Sequence, residues 1–212
     1  MTESFDVVIV GSGAGAMPVA LTLCRKGLKV CMLEKGPHRT ASQFPQDEVL
    51  SCRRNYWVPY VSDEPHVYVR GGGAPKRTFD GWTSHGVGGG TVHMSGFFFR
   101  LTPVDLKLRT TLGAVEGSTL ADWPFPYEEL VAAYDEAERE VGVAGQSGTN
   151  PFEPKRAAYP LPPVLMHPAS ALVDEAGKKL GWHPFPTPRA IASQPYDGRA
   201  GCVYCRFCGS YG

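Results

Sequence analysis

The chain has 212 residues, of which 42% are hydrophobic and 20% are charged. These values are near the usual composition of globular domains, about 45–50% apolar and about 25% charged. The 21 Lys and Arg residues are balanced by 21 Asp and Glu residues, so there is no excess positive charge to favour nucleic acid or an anionic membrane as a partner. No stretch reaches the roughly 18 apolar residues that predict a transmembrane helix.

The first third of the chain has the pattern of a βαβ unit. Phe5–Val10 is apolar and rich in β-branched residues, which predicts a strand of a parallel sheet that is buried on both faces. The glycine turn Gly11–Gly15 follows, then a helix from Ala16 to about Lys26 and a second strand over Lys29–Glu34. This order predicts an α/β fold with a Rossmann-type, doubly wound domain.

The glycine turn carries the dinucleotide fingerprint G-x-G-x-x-G/A. Gly11 permits the tight turn, Gly13 lets the backbone approach a pyrophosphate, and Ala16 lets the helix pack closely on the strand. The predicted cofactor-binding residues of this turn are Gly11, Gly13, Ala14, Gly15 and Ala16. Glu34 ends the second strand at the position of the acid that binds ribose hydroxyls. A carboxylate there favours FAD or NAD over NADP.

A second glycine-rich segment lies at Gly86–Met94, after a short predicted strand over Val67–Arg70. Its glycines indicate a backbone in close approach to a flat or charged group, although such a segment is also typical of a flexible surface loop. Together with the fingerprint, it is better interpreted as contacting the cofactor. The predicted contacts are Gly88, Gly89, Gly90, Thr91, His93 and Met94.

The later part of the chain predicts two helices among Pro-rich loops. Tyr127–Val141 is amphipathic, with an apolar stripe and with acidic residues on the opposite face. Ala169–Leu180 is the second predicted helix. We therefore expect an FAD-binding unit over residues 1–125 and a helical, Pro-rich segment over residues 126–212.

Three of the six cysteines are closely spaced near the end of the sequence, at Cys202, Cys205 and Cys208. Thiols at this spacing can converge on an iron–sulfur cluster. Zinc is a second alternative, although a structural zinc site needs a fourth ligand, and loop cysteines without a metal are a third. Cys24, Cys31 and Cys52 are expected to be small buried hydrophobes or inert thiols.

The motifs together resemble the glucose–methanol–choline (GMC) oxidoreductases, in particular the bacterial sugar, polyol and gluconate dehydrogenase branch and its pyranose-oxidase-like relatives. The resemblance rests on GSGAGA with Glu34, on VGGGTVHM, and on Asp122-Trp123-Pro124 ahead of YEELVAAYDEAE. It implies FAD, a flavin-facing second segment, and oxidation of an alcohol, sugar or polyol by hydride transfer to the flavin. His93 corresponds to a residue that bonds covalently to FAD in some relatives and only hydrogen-bonds in others.

Some proteins of this family carry an iron–sulfur cluster that passes electrons to a cytochrome or small-subunit partner. Their cysteine spacing differs from the spacing here, so the resemblance leaves a cluster, zinc and no metal as alternatives. The catalytic base of such enzymes lies far along a longer chain, so no residue here is predicted to be catalytic. We expect the sequence to be an N-terminal fragment whose substrate domain is largely missing. An NAD-dependent dehydrogenase and an inactive remnant are the alternatives. The start of the sequence lacks a basic segment, which predicts a cytoplasmic protein, with export beside a signal-bearing partner left open.

Overall fold

A computed structural model describes residues 3–44, 47, 49, 66–78 and 84–205 of the chain. Cys52, Cys208 and residues 81–83 of the glycine-rich region therefore lie outside the described residues. The chain divides into two compact units. The first ends at Ser95 and also contains Cys205, and the second is Gly96–Tyr204. The boundary predicted between residues 125 and 126 separates an FAD-binding unit from a helical, Pro-rich segment, and it stays a prediction.

The first unit begins with the predicted βαβ arrangement. Strand β1 is Val7–Val10, helix α1 is Ala16–Arg25 and strand β2 is Val30–Leu33. The two strands are parallel, with Val7 opposite Val30 and Val10 opposite Leu33. Each element is slightly shorter than predicted. Helix α1 ends where expected, because Gly27 takes a positive φ of 82° that L side chains rarely adopt.

The prediction that β1 is buried on both faces is wrong for the described residues. Val8 is 55% exposed and Val10 is 84% exposed. Among the described residues β1 pairs only with β2, so no further strand lies along its other edge. Continuous apolar sequence predicts a strand suited to a buried position, but burial itself requires neighbouring elements.

A small antiparallel hairpin follows in the first unit. Strand β3 is His66–Tyr68 and strand β4 is Lys76–Thr78, with Val67 opposite Arg77. The strand predicted at Val67–Arg70 therefore exists but begins one residue earlier and ends sooner. The chain leaves the strand at the following glycines because they adopt positive φ angles, which suit a turn.

Four helices are described in the second unit. Helix α2 is Pro103–Leu106, α3 is Leu108–Leu112, α4 is Val131–Val141 and α5 is Pro168–Lys179. The first turn of the helix predicted at residues 127–141 is instead a 3-10 turn, Tyr127–Leu130. The observed α5 is one residue ahead of its prediction. Its N-terminus is fixed by Pro168 and by the His167 side chain, which accepts a hydrogen bond from the Ala169 amide.

The second unit contains the buried apolar side chains of the described structure. They are Leu106, Tyr127, Val143, Ala144 and Leu161. Ala144 exchanges two backbone hydrogen bonds of 2.8 Å with Arg189, and the Gly145 amide donates to the Leu161 carbonyl at 3.0 Å. These links tie the end of α4 to the Pro-rich stretches, so irregular segments form a core without a large sheet.

The acidic face predicted for α4 is partly wrong, because Glu138 is 2% exposed. Arg100 donates from Nε to Glu138 Oε1 at 2.8 Å and from Nη2 to Oε2 at 2.7 Å. Arg156 donates to the same Oε2 atom and also, at 2.9 Å, to Glu153. Burial opposes the charged form of Arg100, but the hydrogen bonds with Glu138 and Asp135 outweigh it and raise the pKa of Arg100. Periodicity alone cannot reveal partners that lie far along the chain.

Within the described residues, no helix has the length and apolar character required to cross a membrane.

Candidate cofactor site

The glycine turn between β1 and α1 presents an open backbone surface. Gly11 has a φ of 89°, and its amide donates to the Leu33 carbonyl at 2.7 Å, which continues the pairing of the two strands. A Cβ atom built on Gly11, Gly13 or Gly15 would meet nothing within 4 Å. The Gly13 carbonyl accepts from the Ala16 amide at 2.9 Å as α1 begins. Side chains at these glycines would therefore fill space that is otherwise available to a ligand.

The N-terminus of α1 is suited to an anion. In the described structure no side chain caps this helix and no acidic residue occupies its first turn. The helix dipole and the first-turn amides favour negative charge at this position. Ala14 and Gly15 are exposed here, as the fingerprint requires of residues that approach a phosphate.

Glu34 follows β2 directly and its carboxylate receives hydrogen bonds from both sides. The Gly36 amide donates to Oε1 at 2.7 Å, and the Ser12 amide and hydroxyl donate to Oε2 at 2.9 and 2.7 Å. The hydrogen bond from Gly36, followed by those from Ser12, lowers the pKa of Glu34 from 4.5 to about 2. Glu34 is therefore ionised at neutral pH, and its orientation beside the turn is fixed.

The second glycine segment lies directly against the first. The Gly88 amide donates to the Ser12 hydroxyl at 3.0 Å. A Cβ atom on Gly89 would lie 3.2 Å from the Gly13 Cα atom. The two glycine segments therefore approach each other closely, and the predicted approach of the second segment to a flat or charged group stays a prediction.

The remaining predicted contacts follow in a 3-10 helix, Gly89–His93. Thr91 is exposed and donates from Oγ1 to the Gly88 carbonyl at 2.6 Å. Burial, with a smaller effect from the Arg39 charge, lowers the pKa of His93. The imidazole is therefore neutral at pH 7, with a nitrogen lone pair that can accept a hydrogen bond. Met94 ends the helix in an extended conformation.

Four residues of this region were not predicted from sequence, namely Ser12, Gly36, Arg39 and His85. Ser12 is 1% exposed and its hydroxyl contacts both Glu34 and Gly88. A Cβ on Gly36 would lie 2.1 Å from the Gly86 amide nitrogen, so these two backbones touch. Arg39 donates to the His85 carbonyl at 2.9 Å. Ser12 could have been suspected because it is a polar residue inside the fingerprint, whereas the other three carry no recognised signal.

The predicted metal ligands are only partly described. Cys202 is half-buried and Cys205 is exposed, while Cys208 lies outside the described residues. In the parts of the chain that the structure describes, no three His, Cys, Asp or Glu side chains are grouped as a metal site would require. The three-cysteine site therefore stays a prediction.

The described residues fit a bound dinucleotide. The glycine turn offers the open space that a pyrophosphate would fill, the start of α1 offers positive potential, and Glu34 offers a fixed acceptor for a ribose hydroxyl. A family model described as an FAD binding domain matches residues 6–46, which contain all of these features. This part of the chain therefore has the Rossmann-like α/β fold of an FAD binding domain.

Comparison with curated proteins extends this result over most of the chain. The chain is 34% identical to a 2-methyl-1,2-propanediol dehydrogenase of Mycolicibacterium austroafricanum over 93% of its own length and 35% of that protein. It is 34% identical to the fructose dehydrogenase large subunit of Gluconobacter japonicus, over 95% of its own length and 39% of that protein. It is 32% identical to an uncharacterized GMC-type oxidoreductase of Mycobacterium tuberculosis, over 94% of its own length and 26% of that protein.

These matches agree with the resemblance inferred from the motifs: the chain is similar to proteins named as a GMC-type oxidoreductase and as diol and fructose dehydrogenases. It spans 39% or less of the length of each of the three relatives.

Proposed function

We propose that the protein is an FAD-dependent oxidoreductase that oxidises a CH–OH group of an alcohol, sugar or polyol. The observation that carries the proposal is the meeting of two glycine segments beside a fixed carboxylate. Gly88 and Gly89 contact Ser12 and Gly13, and Glu34 accepts hydrogen bonds at the same place. Such a surface suits a cofactor that is long enough to touch both segments.

In this proposal each part of the surface has a separate task. The turn from Gly11 to Ala16 and the start of α1 bind the pyrophosphate, and Glu34 accepts a hydroxyl of the adenosine ribose. The second segment lies along the flavin half. Its predicted contacts are Gly88, Gly89, Gly90, Thr91, His93 and Met94. FAD supplies the electron acceptor for a hydride, and the protein supplies binding and orientation.

The substrate class rests on the named relatives. One is named for a diol and one for fructose, and both substrates carry the CH–OH group that the proposal requires. No described residue is assigned to proton removal from the substrate. We propose that this base belongs to a substrate domain of a longer chain.

The first test is a visible absorption spectrum of the purified protein, followed by titration with added FAD. Flavin bands or tight FAD uptake support the proposal. A folded protein that takes up no FAD but binds NAD would replace it with a nicotinamide-dependent dehydrogenase. A folded protein that binds neither would indicate an inactive remnant. Bound FAD with no oxidation of alcohols, sugars or polyols by the full-length protein would overturn the substrate class.

Acid precipitation of the same sample tests the role of His93. Yellow colour that stays in the pellet, and is lost in His93→Ala, would show a covalent bond to FAD. Colour that is released into the supernatant would show that His93 only hydrogen-bonds. A matched control is His38→Ala, because His38 is exposed in the same unit.

An iron–sulfur cluster at Cys202, Cys205 and Cys208 is a further part of the proposal, supported by the spacing alone. It would pass electrons from reduced flavin to a cytochrome or a small-subunit partner. Iron and acid-labile sulfide should then be found in the purified protein and be lost in Cys205→Ser but not in Cys24→Ser. Zinc without sulfide would favour the structural alternative, and the absence of both would leave loop cysteines.

A further inference from the structure

Ser12 is a buried residue within an exposed glycine turn. Its side chain is nearly inaccessible, with 1% exposure, although the turn around it faces open space. Buried hydroxyl groups are costly unless they are hydrogen-bonded. The Ser12 hydroxyl donates to Glu34 Oε2 at 2.7 Å and accepts from the Gly88 amide at 3.0 Å. Both functions of the hydroxyl are therefore used.

The two partners lie in separate parts of the sequence. Glu34 is 22 residues from Ser12, and Gly88 is 76 residues away. One partner belongs to the proposed ribose contact and the other opens the proposed flavin segment. Gly88 has a φ of 93° and is followed at once by the 3-10 helix that carries His93. The position of Gly88 thus sets where that helix starts.

We propose that Ser12 is a positioning residue of the FAD site, whose hydroxyl joins the ribose-binding carboxylate to the flavin-facing segment. This inference rests on the proposed function. The Ser12 amide also donates to Glu34, at 2.9 Å, so removing the hydroxyl leaves one of the two Ser12 hydrogen bonds to the carboxylate. The Gly88 amide, in contrast, would lose the acceptor that this hydroxyl provides.

The test compares the wild-type protein with Ser12→Ala and Ser12→Thr, and uses Ser118→Ala as the matched control. Ser118 is exposed and its hydroxyl donates to the Val115 carbonyl in a local turn. In Ser12→Ala we expect FAD to bind about tenfold more weakly and the Gly88 amide to exchange with deuterium at least about tenfold faster, the loss of one hydrogen bond being of this order. Ser12→Thr, which keeps the hydroxyl, should restore both values to within about twofold. Ser118→Ala should match the wild type.

A second measurement starts from the wild-type protein, and its wild-type result does not depend on how well the variants fold. Titration of the wild-type Glu34 carboxyl by 13C NMR should show a pKa near 2, since Ser12 and Gly36 stabilise the ionised form. In Ser12→Ala this pKa should rise toward 4.5. A wild-type value near 4.5 would overturn the inference, because the hydrogen bonds would then be absent in solution.

The outcomes separate the inference from the proposed function. If the folded wild-type protein takes up no FAD, the proposed function fails and the inference fails with it. If wild type binds FAD and Ser12→Ala binds it equally well, with unchanged exchange at Gly88, only the inference fails. Weaker binding in Ser12→Ala with unchanged deuterium exchange at the Gly88 amide would also overturn it, because the hydrogen bond between Ser12 and Gly88 would then not explain the loss.

Discussion

Two glutamates in this protein are held in opposite ways. Glu34 lies in the first unit and receives hydrogen bonds from neutral groups, namely two backbone amides and one hydroxyl. Glu138 lies in the second unit and is enclosed by the guanidinium groups of two arginines. Glu34 is partly accessible, whereas Glu138 is 2% exposed.

The difference shows that the groups around a glutamate determine whether it stabilises the fold or remains available to a ligand. Neutral donors fix the Glu34 carboxylate and leave its negative charge uncompensated, so it can still attract a ligand hydroxyl. Arg100 and Arg156 compensate the charge of Glu138, and burial excludes a ligand. Removing a partner from a buried ion pair leaves an uncompensated charge, which is the costly event. We therefore expect substitutions at Glu138 to affect stability and substitutions at Glu34 to affect binding.

The largest expected effect is that of Glu138→Ala. Arg100 and Arg156 have side chains that are only 3% and 2% exposed, and the variant removes the carboxylate that they share. Loss of one partner from such a buried network costs about 3–5 kcal/mol. Urea unfolding of the second unit measures this change. Glu116→Ala, at an exposed position, is the control, and an equal effect of both variants would contradict the structural role of Glu138.

The glycines provide a second contrast, inside the cofactor site itself. A Cβ on Gly36 would lie 2.1 Å from a backbone nitrogen, whereas a Cβ on Gly13 would meet nothing within 4 Å. Gly36→Ala should lower the free energy of unfolding by about 1–3 kcal/mol, the usual cost of overpacking. Gly13→Ala should change it by less than about 0.5 kcal/mol.

FAD titration of the same two variants completes this prediction. Gly13→Ala should weaken FAD binding despite a stable fold, because the added methyl group occupies the space proposed for the pyrophosphate. Gly36→Ala should weaken binding together with stability. A stable Gly13→Ala that binds FAD as well as the wild type would show that the pyrophosphate lies elsewhere.

How much of this site the sequence predicted depends on the range of the interactions. The βαβ unit and its fingerprint were predictable, because the strand, the turn and the helix are local patterns over about 30 residues. Glu34 was found by its spacing from the turn. The contact of Gly88 with Ser12 spans 76 residues, and no periodicity encodes it.

The two wrong predictions, a buried β1 and an exposed Glu138, have the same origin, because both depend on contacts that are distant in sequence. The exposure of β1 depends on which strands surround it, and the burial of Glu138 depends on arginines that are 38 and 18 residues away. Amphipathic periodicity correctly predicted the helix that contains Glu138. It misplaced this carboxylate on the solvent face, because charge is usually a sign of exposure except where partners exist.

Glu34→Gln tests the expectation that substitutions at Glu34 affect FAD binding more than stability. The amide keeps the size of the side chain but replaces one acceptor oxygen by a donor group, which faces hydrogen-bond donors from Ser12 or Gly36. We expect FAD to bind about tenfold more weakly, equal to about 1.4 kcal/mol, with a smaller change in thermal stability than for Glu138→Ala. Quenching of flavin fluorescence measures the affinity.

The pH dependence of this variant has a defined sign. The folded-state pKa of Glu34, about 2, is below its ordinary value of 4.5, so ionised Glu34 stabilises the folded protein fully above pH 4.5. That contribution is lost as the pH falls from about 4.5 through 2. The stability difference between wild type and Glu34→Gln should therefore be constant above pH 4.5 and change only below it. A difference that changes between pH 5 and 7 would contradict the lowered pKa.

The smallest effect on stability is expected at a third glutamate, Glu175, which is exposed to solvent. Glu175 forms an i,i+4 ion pair with Lys179 at 2.6 Å, and the two side chains are 63% and 74% exposed. Exposed pairs of this kind contribute about 0.3–0.5 kcal/mol and weaken as salt increases. Glu175→Gln should therefore lower stability by no more than this, and the loss should vanish in 1 M salt, whereas the loss in Glu138→Ala should persist because its partners are buried. Urea unfolding of both variants at low and high salt measures these losses of stability. If Glu175→Gln lost as much stability as Glu138→Ala, and if that loss persisted in 1 M salt, burial would not determine what these carboxylates contribute.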